Sequence, residues 1–167
     1  MYTYETLIDS YYDEWSEHDW NYADMIRCAR DRNPLHALAI LVATYNEQVC
    51  NGGHQQYFDN GYADGNNGVF RDHPTIDMHD LMISLFTQLN LASDKRFAAA
   101  VTIMNMFKED WDNNEDCYKR DGTGYIDGPA IDRYLADELD DLYYAICDQF
   151  IKDFKETINA RLQEEPQ

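Results

Sequence analysis

The sequence predicts an all-α protein, a single compact helical domain of about five to seven helices. Apolar residues recur at three- and four-residue intervals along most of the chain, the spacing of one face of an α-helix. No run alternates apolar and polar with the period of two that a half-buried strand requires. A length of 167 residues suits one ordinary domain with a real core.

The first predicted helix has Thr3 as its N-cap and Glu5 or Thr6 in its first turn. Tyr4, Leu7, Ile8, Tyr11, Tyr12 and Trp15 form its apolar face, and Glu5, Asp9, Asp13 and Glu17 fall four residues apart on the other side. Like charges at that spacing cost a helix roughly 0.2–0.5 kcal/mol per pair, so an uncompensated row leaves room for a functional reason. A second helix starts at Asn33-Pro34, where the missing proline N–H costs nothing, and runs to Cys50. Leu35, Leu38, Ile40, Leu41 and Val42 cover most of its sides, as in a central core helix. Asn51, Gly52 and Gly53 end it, and a short helix over 54–60 follows.

Residues 61–74 read as loop by their Gly, Asn and Pro content. Thr75 or Asp77 caps a helix over 78–92, and Ser93 or Asp94 caps another over 95–111. Residues 113–128 are polar and glycine-bearing, hence loop, and Pro129 opens a long final helix to about Gln163 with room for one break. Its stripe is Leu135, Leu139, Leu142, Tyr143, Ile146, Phe150, Phe154, Ile158 and Leu162. Residues 1–163 thus make one acidic helical domain and 164–167 a disordered tail.

Charge is the outlier. Thirty-two acids against thirteen bases give a net charge of −19. Such a chain repels nucleic acid and anionic membrane and attracts cationic surfaces. Direct nucleic-acid binding needs a basic patch, and the densest basic stretch, Arg27, Arg30 and Arg32, is flanked by Asp24 and Asp31. No run reaches the roughly 20 apolar residues of a membrane span. The N-terminus has neither the basic nor the apolar region of a secretory signal, so a cytoplasmic location is expected. Cys28, Cys50, Cys117 and Cys147 are scattered without a CxxC pair and read as reduced thiols, several of them buried.

Catalytic and metal-binding patterns are weak. Aligning Gly124 with the sixth position of a calcium loop puts Lys119 first and Ala130 twelfth, losing both essential carboxylates. Starting instead at Asp112 puts Cys117 where the turn needs glycine. His18, His36, His54, His73 and His79 form no HExxH or HxxxH pair. A Cys50–His54 pair is conceivable in space but has no supporting signature, and phosphate-binding glycine loops are absent. No metal, cofactor or catalytic residue is assigned. The acids remain: Glu5, Asp9, Asp13 and Glu17 on the first helix, and Asp137, Glu138, Asp140, Asp141 and Asp148 on the last. Residues four apart advance about 6 Å along a helix, so two such rows approximate a duplex strand, with one charge per about 3.4 Å. The bland alternative is a solvated acidic surface.

Residues 47–60 carry Glu47, Asn51, Gly52, Gly53, Gln56, Tyr57, Phe58 and Asn60. They resemble the signature of a family of acidic bacterial DNA-mimic proteins, Glu-x-x-x-Asn-Gly-Gly-x-x-Gln-[Tyr/Phe]-Phe-x-Asn after an apolar helix. The order of helices is similar over residues 1–160. Where the family commonly has Phe after the two glycines this chain has His54, and its Ser-rich turn is replaced by Gly61-Tyr62-Ala63-Asp64. The resemblance implies a helical, often dimeric protein whose carboxylates occupy the DNA-binding face of a nucleoid protein or repressor. The motif residues themselves read as structural: Asn51, Gly52 and Gly53 turn the chain, Gln56 satisfies buried backbone, and Tyr57 and Phe58 pack. The leading expectation is therefore a non-enzymatic DNA mimic, and charge reversal of Asp137, Asp140 and Asp141 is expected to weaken binding without unfolding. Two other readings stay open. One is an immunity protein that plugs a basic nuclease, with Trp15, Trp20 or Tyr62 as anchors; the other is a small hydrolase.

Overall fold

The structure, a computed structural model, describes residues 2–18, 22–60, 62, 78–113 and 133–164; of positions 18, 59, 111 and 133–137 it describes the backbone alone. Seven helices occur among the described residues, with no strand: α1 (Tyr4–His18), α2 (Tyr22–Arg32), α3 (Pro34–Asp59), α4 (Met78–Gln88), α5 (Ala98–Asn113), α6 (Arg133–Tyr144) and α7 (Cys147–Glu164). The all-α class is as the periodicity predicts. The calcium-loop alignments beyond Asn113, the caps proposed at Thr75 and Asp77, Pro129 and residues 165–167 of the tail lie outside the described residues.

Local signals place most helix ends. Thr3 and Thr6 cap α1 reciprocally, Thr3 N–H donating to Thr6 Oγ1 (2.8 Å) and Thr6 N–H to Thr3 Oγ1 (3.2 Å). Asn33 caps α3 by accepting from Leu35 N–H (2.8 Å), with Pro34 in the first turn. The turn that follows α4 is closed at Asn90, whose φ of 56° lets Leu91 N–H reach back to Phe86 O (2.8 Å). Asp94 holds the turn into α5, accepting from Arg96 N–H through its side chain (3.0 Å) and from Ala98 N–H through its carbonyl (3.1 Å). The break expected in the final helix falls at Ala145 and Ile146.

Helix α2 is the element the sequence reading passed over. Tyr22, Met25, Ile26 and Ala29 are buried at helical spacing, but Asp24, Arg27, Arg30, Asp31 and Arg32 surround them and mask the stripe. Helix α3 is the hub. Residues 35–42 are buried without interruption, and α3 touches α1, α2, α4, α6 and α7. One core cluster runs from Tyr4 to Leu162. Near its centre the Tyr45 ring stands edge-on to Tyr57 and Tyr143, each at 5.1 Å between centroids, an arrangement that aligns ring edges with π faces. A second aromatic group joins Phe86 and Phe97 to Phe150 and Phe154 of α7.

Among the described residues no helix is long and apolar enough to cross a membrane. None of the three described cysteines is buried, against the expectation that several would be; Cys50 is exposed and Cys28 and Cys147 are half-buried.

Candidate functional site

The motif residues build a joint. Inside α3 the backbone leaves helical geometry at Gly52 (φ −163°, ψ 21°) and Gly53 (φ 76°, ψ −179°), so the chain turns there and resumes as a short helical arm. Gln56 Nε2 (3.3 Å) and Asn60 Nδ2 (2.7 Å) both donate to Gln48 Oε1, pinning the arm across the turn. Gln56 thus bonds a side chain before the turn rather than the buried backbone expected for it. Tyr57 and Phe58 are buried as expected, while Glu47 and Asn51 are exposed.

His54, buried completely, is the centre of this joint. Its backbone N–H (2.8 Å) and its ring Nδ1 (2.5 Å) both donate to Asp140 Oδ1 of α6. A carboxylate can only accept, so Nδ1 carries the proton; in the neutral ring, Nε2 then accepts from the Tyr45 hydroxyl (2.7 Å). Gly53 is what lets α6 come this close. A Cβ built on it would lie 2.8 Å from Asp140 Cγ. Asp140 therefore departs from the solvent-facing row in which the sequence placed it: its side chain is only 17% exposed and it is committed to His54. Reversing its charge would break the joint, so the expected reversal of Asp137, Asp140 and Asp141 without unfolding no longer holds.

A parallel arrangement surrounds His79, also fully buried. Its Nε2 donates to Met104 O (2.8 Å), which leaves Nδ1 to accept from Tyr57 OH (3.3 Å). Burial pushes its pKa down to about 4, against the opposing pull of the Met104 bond. The Cys50–His54 pair does not form: both His54 nitrogens are engaged by Asp140 and Tyr45, while the Cys50 thiol donates to Asn46 Oδ1 (3.6 Å). No three His, Cys, Asp or Glu side chains converge as a metal site among the described residues.

The remaining predicted acids stay outside. Glu5, Asp9, Asp13 and Glu17 are exposed along α1, and Glu138, Asp141 and Asp148 along α6 and α7; the side chain of Asp137 lies outside the described set. The α1 row is not wholly uncompensated. Lys155 of α7 pairs with Glu5 (3.1 Å); the backbone N–H of Glu5 at the helix start first, and then Lys155, draw its pKa below the usual carboxylate value. Arg32 grips Glu14 with both guanidinium arms (2.6 and 2.7 Å). Among the described residues Asp9, Asp13, Glu17, Glu138, Asp141 and Asp148 enter no ion pair.

The two acidic helices flank one open groove of about 280 Å³. Tyr4, Glu5, Ile8 and Asp9 of α1 form one wall, Ile151 and Lys155 of α7 the other, and Ala43 and Asn46 of α3 the floor. Of the anchors considered for an immunity protein, Trp15 is half-buried against Tyr12 and Tyr62 stands edge-on to Tyr22 at 5.1 Å; Trp20 lies outside the described residues. Comparison with known proteins finds no matching family model, no matching curated protein and no matching solved structure.

Proposed function

We propose that the protein is a non-enzymatic DNA mimic of the cytoplasm, whose exposed carboxylates occupy the DNA-binding face of a basic protein and exclude DNA by competition. The observation that carries this reading is the distribution of counter-ions. Basic side chains neutralise Glu5, Glu14, Asp24 and Asp94, while Asp9, Asp13 and Glu17 along α1, and Glu138, Asp141 and Asp148 along α6 and α7, enter no ion pair among the described residues. Open rows of that kind attract Lys and Arg and steer association at rates that fall with salt.

The resemblance of residues 47–60 to the DNA-mimic signature supports the same reading from a different side. In this chain the motif serves as the joint that fixes α6 against α3, so it positions an acidic helix instead of contacting the partner. A nucleoid protein or repressor is the partner the family implies; a basic nuclease bound by an immunity protein shares the electrostatics and is the second reading.

The deciding experiment is a pull-down with the purified chain from nuclease-treated lysate of its source, at low and high salt, with duplex DNA as competitor. A basic DNA-binding protein that both salt and DNA displace is the expected catch. Recovery of nothing, or of a partner indifferent to salt and DNA alike, would leave the acids as a solvated surface. A single nuclease held tightly through high salt would favour the immunity reading.

A further inference from the structure

The groove between α1 and α7 already holds one cation of the protein's own. Lys155 Nζ sits 3.1 Å from Glu5 Oε1 and lies over the Tyr4 ring, 5.2 Å from its centroid, so a carboxylate and an aromatic face share one ammonium. The same device recurs further along α1. Arg32 grips Glu14 with both guanidinium arms and lies over the Tyr11 ring at 5.4 Å. Helix α1 thus takes a basic side chain from a neighbouring helix at two places along its length. Asp9 falls between them, lines the groove, and enters no ion pair among the described residues. Beside it Ile8, Ala43 and Ile151 line the same groove, partly buried against the core. Glu5 and Asp9 against Lys155 leave the described lining with one negative charge in excess.

We infer that this groove is the seat of one arginine side chain of the basic partner. The inference rests on the proposed function for the existence of that partner and deepens it by naming the contact. An arginine has an aliphatic stem that gains from burial and a charged head that does not. The stem covers Ile8, Ala43 and Ile151, and the guanidinium meets Asp9. A flat acidic face attracts any cation, whereas apolar walls beside a carboxylate favour a long side chain that carries its charge at the tip. Arginine fits better than lysine because its planar fork bonds a carboxylate through two N–H groups at once, as Arg32 does with Glu14. Lys155 has a second part in this arrangement. Its ammonium lies in the same groove and repels an incoming guanidinium, so it sets how tightly the seat binds.

The test uses the full chain and the peptide acetyl-Ala-Ala-Arg-Ala-Ala-amide, beside the same peptide with citrulline, the uncharged isostere of arginine. Methyl NMR should show saturable shifts at Ile8, Ala43 and Ile151 with the arginine peptide and none with the citrulline peptide. Leu142, exposed beside Asp141 on α6, should move little. Asp9→Asn should weaken binding roughly two- to fivefold, the size of an ion pair at the surface. Ala43→Leu should block the peptide at unchanged charge. Lys155→Met should tighten binding, and by more than Lys152→Met, which removes the same charge from an exposed position on α7. Shifts as large at Leu142 as in the groove, an equal response to citrulline, or equal gains from the two lysine variants would overturn the proposal. The two readings fail separately. A peptide seated in the groove, with no DNA-binding protein recovered from lysate, would sink the proposed function alone. A DNA-displaced partner held equally by the unmutated chain, Asp9→Asn and Ala43→Leu would sink the arginine seat alone.

Discussion

Replacing Gly53 by alanine adds one methyl group at a residue whose φ of 76° and ψ of −179° lie where side-chain-bearing residues rarely go. The backbone strain alone is about 1–3 kcal/mol. The new Cβ would also stand 2.8 Å from Asp140 Cγ, well inside contact distance, so the α6 carboxylate must withdraw. Asp140 then loses both His54 donors, the backbone N–H and the ring. Hydrogen bonds to a charged group contribute about 1.5–3 kcal/mol each. The low end applies, because Asp140 keeps some exposure and water replaces part of the bonding. Strain and the two lost bonds together come to about 4–6 kcal/mol, a large share of the roughly 5–15 kcal/mol that holds an ordinary domain folded.

Gly52→Ala supplies the control one residue away. The φ of Gly52, −163°, is extended backbone open to any residue. The added Cβ would meet the Gln56 side chain, 2.6 Å from its Cδ, and the amide end can swing aside with a small shift of the stem. The loss is then the Gln56–Gln48 hydrogen bond, about 1 kcal/mol. Urea unfolding followed by far-ultraviolet circular dichroism compares the two. With a denaturant slope of about 1–3 kcal/mol per molar, Gly53→Ala should unfold at least about 1 M earlier than Gly52→Ala. Equal midpoints, or a milder effect at Gly53, would refute the account of why the joint needs glycine there.

What the sequence made legible follows from how local each signal is. Asn33-Pro34, Thr3 and the Gly52-Gly53 turn are written in neighbouring residues, and each stands where the reading put it. Helix α2 escaped because a short stripe of four apolar positions is diluted by the charges between them. Asp140 was misplaced for a different reason. Its partner, His54, is 86 residues away, and nothing beside Asp140 distinguishes it from exposed Asp141. Periodicity puts Leu142 in the apolar stripe, yet it is 42% exposed. The two errors are one rotation: α6 turns Leu139, Tyr143 and Asp140 inward and lets Leu142 out. Hydrophobic pattern sets a helix face only to within a residue or so, and a buried polar partner elsewhere in the chain settles the rest. Gln48, which receives both Gln56 and Asn60, carried no signal that periodicity could supply.

Two further predictions follow from the buried polar groups. His79 has a folded pKa of about 4 against about 6.5 unfolded, so the unfolded chain takes up its proton first as pH falls. Its contribution is full above about pH 6.5, declines between pH 6.5 and 4 by on the order of 3 kcal/mol, and levels off below; urea midpoints of the unmutated chain should fall relative to His79→Gln over that window, and parallel curves would count against it. Asp140→Lys should abolish cooperative unfolding or lower stability by several kcal/mol through loss of the His54 bonds, whereas Asp141→Lys, at an exposed site, should change it by no more than about 0.5 kcal/mol. Indistinguishable melting curves for the two would mean that the joint is not closed by Asp140.

The open row on α1 supplies a test that separates a surface used for binding from one that is merely hydrated. Glu5, Asp9, Asp13 and Glu17 form three successive four-residue pairs, and among the described residues only Glu5 has a cation against it, Lys155. Each like-charge pair costs roughly 0.2–0.5 kcal/mol, and Glu17 stands in the last turn, where the helix dipole adds to the penalty. Neutralising Asp9, Asp13 and Glu17 to Asn, Asn and Gln should therefore stabilise the free protein by about 1 kcal/mol. If the row exists only to keep the chain soluble, that gain comes with no loss of any interaction. If it meets the Lys and Arg side chains of a DNA-binding partner, the stabilised variant should bind that partner more weakly and with a shallower dependence on salt, because removed carboxylates no longer contribute to steering. Stability and binding measured on the same triple variant should then move in opposite directions. A stabilised variant with unchanged affinity would remove α1 from the interface and leave Glu138, Asp141 and Asp148 as the face to test.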